Sequence, residues 1–127
     1  YPDSGSVQMQ ALLALPEPPT AVFAASDDMA MGALSAIAQA SLSVPGDVSL
    51  VGFDDDEVAP LLRPPLTTVR QNMQALGEAA AEGLGRMIED PDAAPVRQLV
   101  PTELIVRESS GATGAPRAKA LESKEVE

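Results

Sequence analysis

Thr20 to Ala40 reads TAVFAASDDMAMGALSAIAQA, and its two halves ask for different backbones. Thr20 to Ala25 is a continuous run of small apolar side chains, the pattern of a buried strand. It ends in Ser26, Asp27 and Asp28, whose side chains accept hydrogen bonds from the free N–H groups of a helix start. From about Asp28 to Ala40, Ala30, Ala33, Leu34, Ile37 and Ala38 fall on one side of a helix, with Met29 and Met31 near its beginning. A strand therefore feeds directly into a helix. Leu42 to Asp47 breaks that helix, with Pro45 and Gly46 forming a turn. Val48 to Phe53 is the next apolar run, and it ends in Asp54, Asp55, Asp56 and Glu57. Strand followed by acidic turn thus occurs twice. In parallel α/β sheets ligands bind outside the carboxyl ends of the strands, which makes these two turns candidates for a binding surface.

Working outward, Ser4 to Leu15 carries Val7, Met9, Leu12, Leu13 and Leu15 at mixed three- and four-residue spacings and then meets Pro16, which predicts a short helix with a sharp stop. Glu57 to Leu62 has room for one helical turn before the prolines at 60, 64 and 65 suppress regular structure. Thr67 to Arg70 is short and β-branched, and predicts an edge or crossing strand. Asn72 caps a long helix running to Glu89, with Met73, Leu76, Ala80, Leu84, Met87 and Ile88 recurring on one face. Asp90, Pro91 and Asp92 end it. Val96 to Val100 and Glu103 to Val106 are strand-like on either side of Pro101. Beyond Arg107 the chain turns to Ser, Gly, Ala and charge, and predicts a disordered tail. There is no internal repeat. The alternation of strands and helices is that of a parallel sheet with crossover helices.

At 127 residues and 45% hydrophobic content the chain suffices for one modest core, built from small aliphatic side chains because Tyr1, Phe23 and Phe53 are its only aromatics. A formal net charge of -11 repels phosphate backbones, so this segment is not expected to bind DNA by itself. The absence of a long apolar run and of a signal-peptide pattern predicts a soluble, cytoplasmic chain with no membrane partner. With no cysteine and no histidine, disulfides, thiolate or imidazole nucleophiles and ordinary zinc sites are excluded. No catalytic residue, metal site or cofactor is expected.

Three segments in order resemble the LacI/GalR family of bacterial transcriptional regulators and their periplasmic sugar-binding relatives. They are PTAVFAASDDMAMGAL (Pro19 to Leu34), VPGDVSLVGFDD (Val44 to Asp55) and PPLTTVRQN (Pro64 to Asn72), and the closing PTELIVRESS (Pro101 to Ser110) fits the family's last strand. The resemblance implies a parallel-sheet, three-layer, Rossmann-like lobe of the periplasmic-binding-protein-like (type I) fold, truncated. By that analogy residues 1–71 belong to the C-terminal lobe of an effector-binding domain, 72–95 to a helix of the other, mostly absent lobe, 96–108 to return strands of the C-terminal lobe, and 109–127 to the tail. The DNA-binding head is expected upstream, outside this segment. The helix from Asp28 to Ala40 and the segment from Glu57 to Leu62 would form much of a homodimer contact. The helix at 72–89, lacking the other lobe, is expected to pack on another copy, fold back or be mobile.

The same resemblance assigns candidate effector contacts. Asp54 matches an aspartate that binds effector hydroxyls, and a carboxylate can take bidentate bonds from adjacent hydroxyls of a sugar ring. Taken without the resemblance, it is an ordinary solvated turn or cap residue, and that reading is retained for Asp55, Asp56 and Glu57. Ser26 stands where many members carry Asn, so a contact there would be weaker or different. Asp27 is either a ligand contact or, more ordinarily, a cap. Gln71 lies at the interlobe crossing, where its amide could donate and accept. Met73 lines a cleft or belongs to a core stripe, and Phe53 stacks on a ligand or packs in the sheet. Arg70 pairs with a ligand acid or a surface carboxylate.

Two other function classes fit part of this pattern. A strand ending in Asp54 and Asp56 resembles haloacid-dehalogenase-like phosphatases or receiver domains, but that chemistry uses a lysine beside the phosphate, and no lysine precedes Lys119. A periplasmic sugar-binding protein shares the fold and much of the site. The wording of PPLTTVRQ favours the regulators, and so an effector-binding portion of a LacI-type regulator whose partners are a small-molecule effector, a second copy and, through the absent head, operator DNA.

Overall fold

The computed structural model describes residues 2–92, 94 and 97–112. Nine elements follow one another: α1 (Pro2–Leu13), β1 (Ala21–Phe23), α2 (Asp27–Gln39), β2 (Ser49–Asp54), a 3-10 turn (Ala59–Leu61), β3 (Thr67–Gln71), α3 (Met73–Glu89), β4 (Thr102–Ile105) and a second 3-10 turn (Glu108–Ser110). The strands form one sheet in the order β1-β2-β3-β4. β1, β2 and β3 run parallel, with Phe23 opposite Val51 and Asp54 opposite Arg70, and β4 returns antiparallel to β3 with Thr102 opposite Gln71. The expected α/β sheet is therefore present.

Its core is small-residue packing carried to an extreme. Met9 of α1, Ala30, Ala33, Ala36 and Ile37 of α2, and Val48, Leu50 and Leu66 of the sheet layer are all buried. Two glycines set the spacing. A Cβ on Gly5 would lie 2.0 Å from the Met29 carbonyl oxygen, and one on Gly32 would lie 1.9 Å from that of Pro2. Backbone thus lies on backbone where α1 crosses α2, which only a residue without a side chain permits.

Three expectations require correction. Of the two readings of Thr67 to Arg70, edge or crossing strand, the edge one fails: β2 and β4 flank β3, and Thr67 and Thr68 are buried, because the returning chain supplies a partner the local sequence does not reveal. Residues 97–100 form no strand. β3 has already turned into α3 at Asn72, so nothing extends the ladder upstream of Thr102, and Leu99 is 98% exposed. Val96 lies outside the described residues. Finally, the expected tail does not begin at residue 109, since Ser109 is fully buried. Its hydroxyl donates to the Leu50 carbonyl at 2.6 Å and accepts from the Thr67 N–H at 2.8 Å, occupying the gap where the β2–β3 ladder starts. The remaining expected tail, 113–127, lies outside the described residues.

α3 forms where the sequence places it, with the Asn72 carboxamide oxygen accepting from the Ala75 N–H at 3.0 Å. None of its residues is buried, so it does not fold back to cover its apolar face. Met73, Leu76, Leu84, Met87 and Ile88 are all exposed.

Candidate functional site

Because β1, β2 and β3 are parallel, their carboxyl ends lie along one edge of the sheet. That edge gathers Ser26 and Asp27 after β1, Asp54 at the end of β2 with Asp55 and Asp56 beyond it, and Gln71 at the end of β3. The Gln71 side-chain amide donates to Asp54 Oδ1 at 2.8 Å, joining two of the candidates directly. One such bond leaves most of the roughly four lone-pair sites of an ionised carboxylate open to other donors. Asp54 is half-buried.

Ser26 is the N-cap of α2, its Oγ accepting from the Met29 N–H at 3.2 Å. That bond uses an oxygen lone pair and leaves the hydroxyl proton uncommitted by it. Asp27 is neither a cap nor open to a ligand. It is fully buried, with Oδ1 accepting from the Thr68 hydroxyl at 2.6 Å and Oδ2 from the Asp56 N–H at 2.9 Å. The space for its carboxylate comes from Gly52, where a Cβ would lie 2.2 Å from Oδ1. Asp27 therefore reaches across β2 and β3 to hold the acidic turn.

Asp55 departs from the solvated-turn reading altogether. Its side chain is 6% exposed and lies between two guanidinium groups, Arg107 Nη2 on Oδ1 at 2.7 Å and Arg70 Nε on Oδ2 at 2.7 Å. Burial pushes the Asp55 carboxyl up, but the hydrogen bonds and charges of Arg107 and Arg70 outweigh it and hold the group below the usual aspartate range. Asp56 behaves oppositely: desolvation, with repulsion from Asp27, Asp54, Asp28 and Asp55, raises it. Arg70 also approaches Glu103 at 3.5 Å, so it pairs with carboxylates of its own chain.

Phe53 and Met73 relate to the Asp54–Gln71 pair in different ways. Phe53 packs edge-on against Phe23, centroids 6.4 Å apart at 83°, consistent with packing in the sheet. Met73 is 64% exposed at the first position of α3 and shares with Gln71 an open cleft of about 380 Å³, also lined by Arg70, Asn72, Thr102 and Glu103. Among the described residues no His, Cys, Asp and Glu cluster is arranged to hold a metal ion. No helix there is long and apolar enough to cross a membrane.

Residues 2–110 match the family described as periplasmic binding protein-like domain. The chain belongs to that family. Within it, the chain corresponds to part of the effector domain of LacI/GalR regulators. It is 42% identical to the probable HTH-type transcriptional repressor ExuR of Bacillus subtilis, over 84% of this chain and 32% of that protein. Among solved structures it is similar to a transcriptional regulator CelR–cellobiose complex, with a TM-score of 0.79 and 41% identity over 85% of this chain and 33% of that one. It is likewise similar to the lac repressor dimer bound to operator and the anti-inducer ONPF, with a TM-score of 0.76 and 36% identity over 85% and 37%. This periplasmic binding protein-like chain thus spans about a third of the length of such relatives. They are regulators of transcription, not phosphatases or receiver domains, and the enzymatic alternative is not favoured.

Proposed function

We propose that this segment supplies one wall of the effector site, and part of the dimer contact, of a cytoplasmic LacI-type transcriptional regulator. The effector is a sugar or a related polyhydroxylated small molecule. The observation that carries this reading is the Asp54–Gln71 pair, an acceptor and a combined donor and acceptor bonded at 2.8 Å on the ligand-binding edge of a parallel sheet. Such a pair suits adjacent hydroxyls, which both donate and accept. The cellobiose complex of a 41% identical regulator supports the same ligand class. Ser26 contributes at the neighbouring strand end and Met73 at the cleft beside Gln71, whereas Asp27 acts from beneath the turn. α3 belongs to the second lobe, and operator DNA is contacted through a separate head.

The dimer contact is supported by what α2 leaves over. Ala30, Ala33, Ala36 and Ile37 are consumed by the chain's own core, but Met31, Leu34 and Ala38 retain exposed surface, and Leu61 of the 57–62 segment is 70% exposed. Light scattering should give a dimer, and a monomer at high concentration would count against this part.

Calorimetric titration of the regulator that carries this chain with a panel of sugars, ribose and cellobiose among them, tests the site. Asp54→Ala should weaken the best-binding sugar by about a hundredfold, as expected when a charged acceptor is lost from a hydrogen-bonded site. Unchanged affinity in that variant would remove Asp54 from the site.

A further inference from the structure

The turn that carries Asp54 holds a backbone its own residues disfavour. Asp54 has φ 115° and Asp55 φ 60°, two consecutive side-chain-bearing residues in the left-handed half of the map. Such geometry persists only where the surroundings over-determine it. Here they do, and from several directions. The Thr68 hydroxyl accepts from the Asp55 N–H at 3.4 Å, Asp27 accepts from the Asp56 N–H at 2.9 Å, and Gln71 holds the Asp54 carboxylate itself. The strongest restraint is the Asp55 carboxylate, almost fully buried, with one oxygen on Arg107 and the other on Arg70.

The origin of the two arginines matters. Arg70 lies on β3, immediately before α3, and Arg107 follows β4, on the chain's return from α3. Arg107 is itself fixed by a second bond, from Nη1 to the Leu66 carbonyl at 2.7 Å. A single carboxylate therefore ties the strand-end turn to both segments that bracket α3. A turn needing only to be stable would be satisfied by glycine at its positive-φ positions. Asp55 instead makes the turn's shape depend on where Arg70 and Arg107 stand.

We propose that Asp55 is the positioning residue of the Asp54 site: clamped between Arg70 and Arg107, it sets the backbone that presents the Asp54 carboxylate, and it links that presentation to the two segments leading to and from α3. The inference rests on the effector-binding reading above. It concerns a residue that touches no ligand.

The test is run on the full chain in two arms. Without ligand, the three-bond HN–Hα couplings of Asp54 and Asp55 are measured by NMR in wild type, Asp55→Asn, Arg107→Gln and Arg107→Lys. With ligand, sugar affinity is measured by calorimetry on the same variants and on Asp54→Ala. Asp55→Asn and Arg107→Gln are expected to shift both couplings and to weaken sugar binding by about tenfold or more, the loss of a charge-assisted bond. Arg107→Lys, which keeps the charge, should recover part of both losses. If Asp54→Ala abolishes sugar binding while Asp55→Asn changes neither couplings nor affinity, the proposal fails and the effector reading survives. Unchanged affinity in Asp54→Ala sinks the effector reading instead. A panel in which no sugar binds still decides the matter, because unchanged couplings in Asp55→Asn overturn the clamp. Should Asp55→Asn not fold, Arg107→Lys and Arg70→Gln carry the same comparison.

Discussion

α1 and α2 on one side, and α3 on the other, are built from similar residues and meet opposite fates. All three are rich in Ala, Gly, Leu and Met. α3 has the most sharply amphipathic pattern of the three, yet it buries nothing, whereas α1 and α2 interlock until backbone touches backbone. Glycine shows the contrast most directly. At Gly5 and Gly32 a Cβ would overlap a carbonyl oxygen, and at Gly77 and Gly85 it would meet nothing within 4 Å. Periodicity states which face of a helix favours burial. It does not state whether a partner is present, and that is decided by the rest of the chain.

The largest effect should come from the crossing. Gly32→Ala places a methyl group 1.9 Å from the Pro2 carbonyl and 2.8 Å from the Ser6 backbone N, so the helices must separate along much of their contact. Overpacking of this kind costs about 3 kcal/mol or more when the obstacle is backbone. Urea unfolding should show that loss as a lowered midpoint. A midpoint within experimental error of wild type would mean that α1 and α2 are not in contact as described. Next comes Asp27→Ala. It removes the acceptor shared by the Thr68 hydroxyl and the Asp56 N–H and strands both donors, which costs about 2–3 kcal/mol. No α3 substitution should approach either figure.

Both regions are legible in the sequence where the signal is local. Ser26 as a cap, the Pro45–Gly46 break and Asn72 at the start of α3 each act within a few residues of themselves, and each lies where local chemistry puts it. The family pattern is what singles out Asp54 within its acidic turn and Gln71 17 residues on, and the structure brings the two into contact. The Asp55–Arg107 pair spans 52 residues, and no periodicity encodes it. Asp27 was ambiguous for a related reason. SDD at a helix start reads as a cap, and only the missing Cβ at Gly52, on the next strand, admits its carboxylate to the interior. A glycine inside an apolar strand was the available signal, because it marks a close approach by something. The edge alternative for β3 fails because its outer partner, β4, arrives from far along the chain.

The acidic turn offers a pH test of smaller size. Asp55 is lowered in the folded state, so its contribution to stability is complete above the unfolded aspartate value and is lost as pH falls through its folded one, below about pH 4. Asp56 is raised, so the sign reverses: the folded state is favoured below the unfolded value and loses that advantage as pH rises through the folded one. Asp55→Asn should therefore destabilise the chain at pH 7 and do progressively less harm toward pH 3. Asp56→Asn should be neutral or slightly stabilising at pH 7, with its benefit gone at low pH. Urea midpoints measured from pH 3 to 7 check both, and parallel pH profiles for the two variants would contradict the opposed environments.

The smallest expected effect is the one that separates the two regions most cleanly. Gly77→Ala adds a methyl group to open space on an exposed helix, where alanine lowers the unfolded chain's entropy and improves helix propensity by about 0.5–1 kcal/mol. Helicity by circular dichroism should rise slightly, the reverse of what the identical substitution does at Gly32. The sign carries the information. If Gly77→Ala instead lowers stability, a methyl group there is meeting something, and α3 has a partner seated against its Gly77 face. Performed at two protein concentrations, the measurement also identifies whose surface that is, since a penalty that deepens with concentration comes from a second copy and one that does not comes from the same polypeptide.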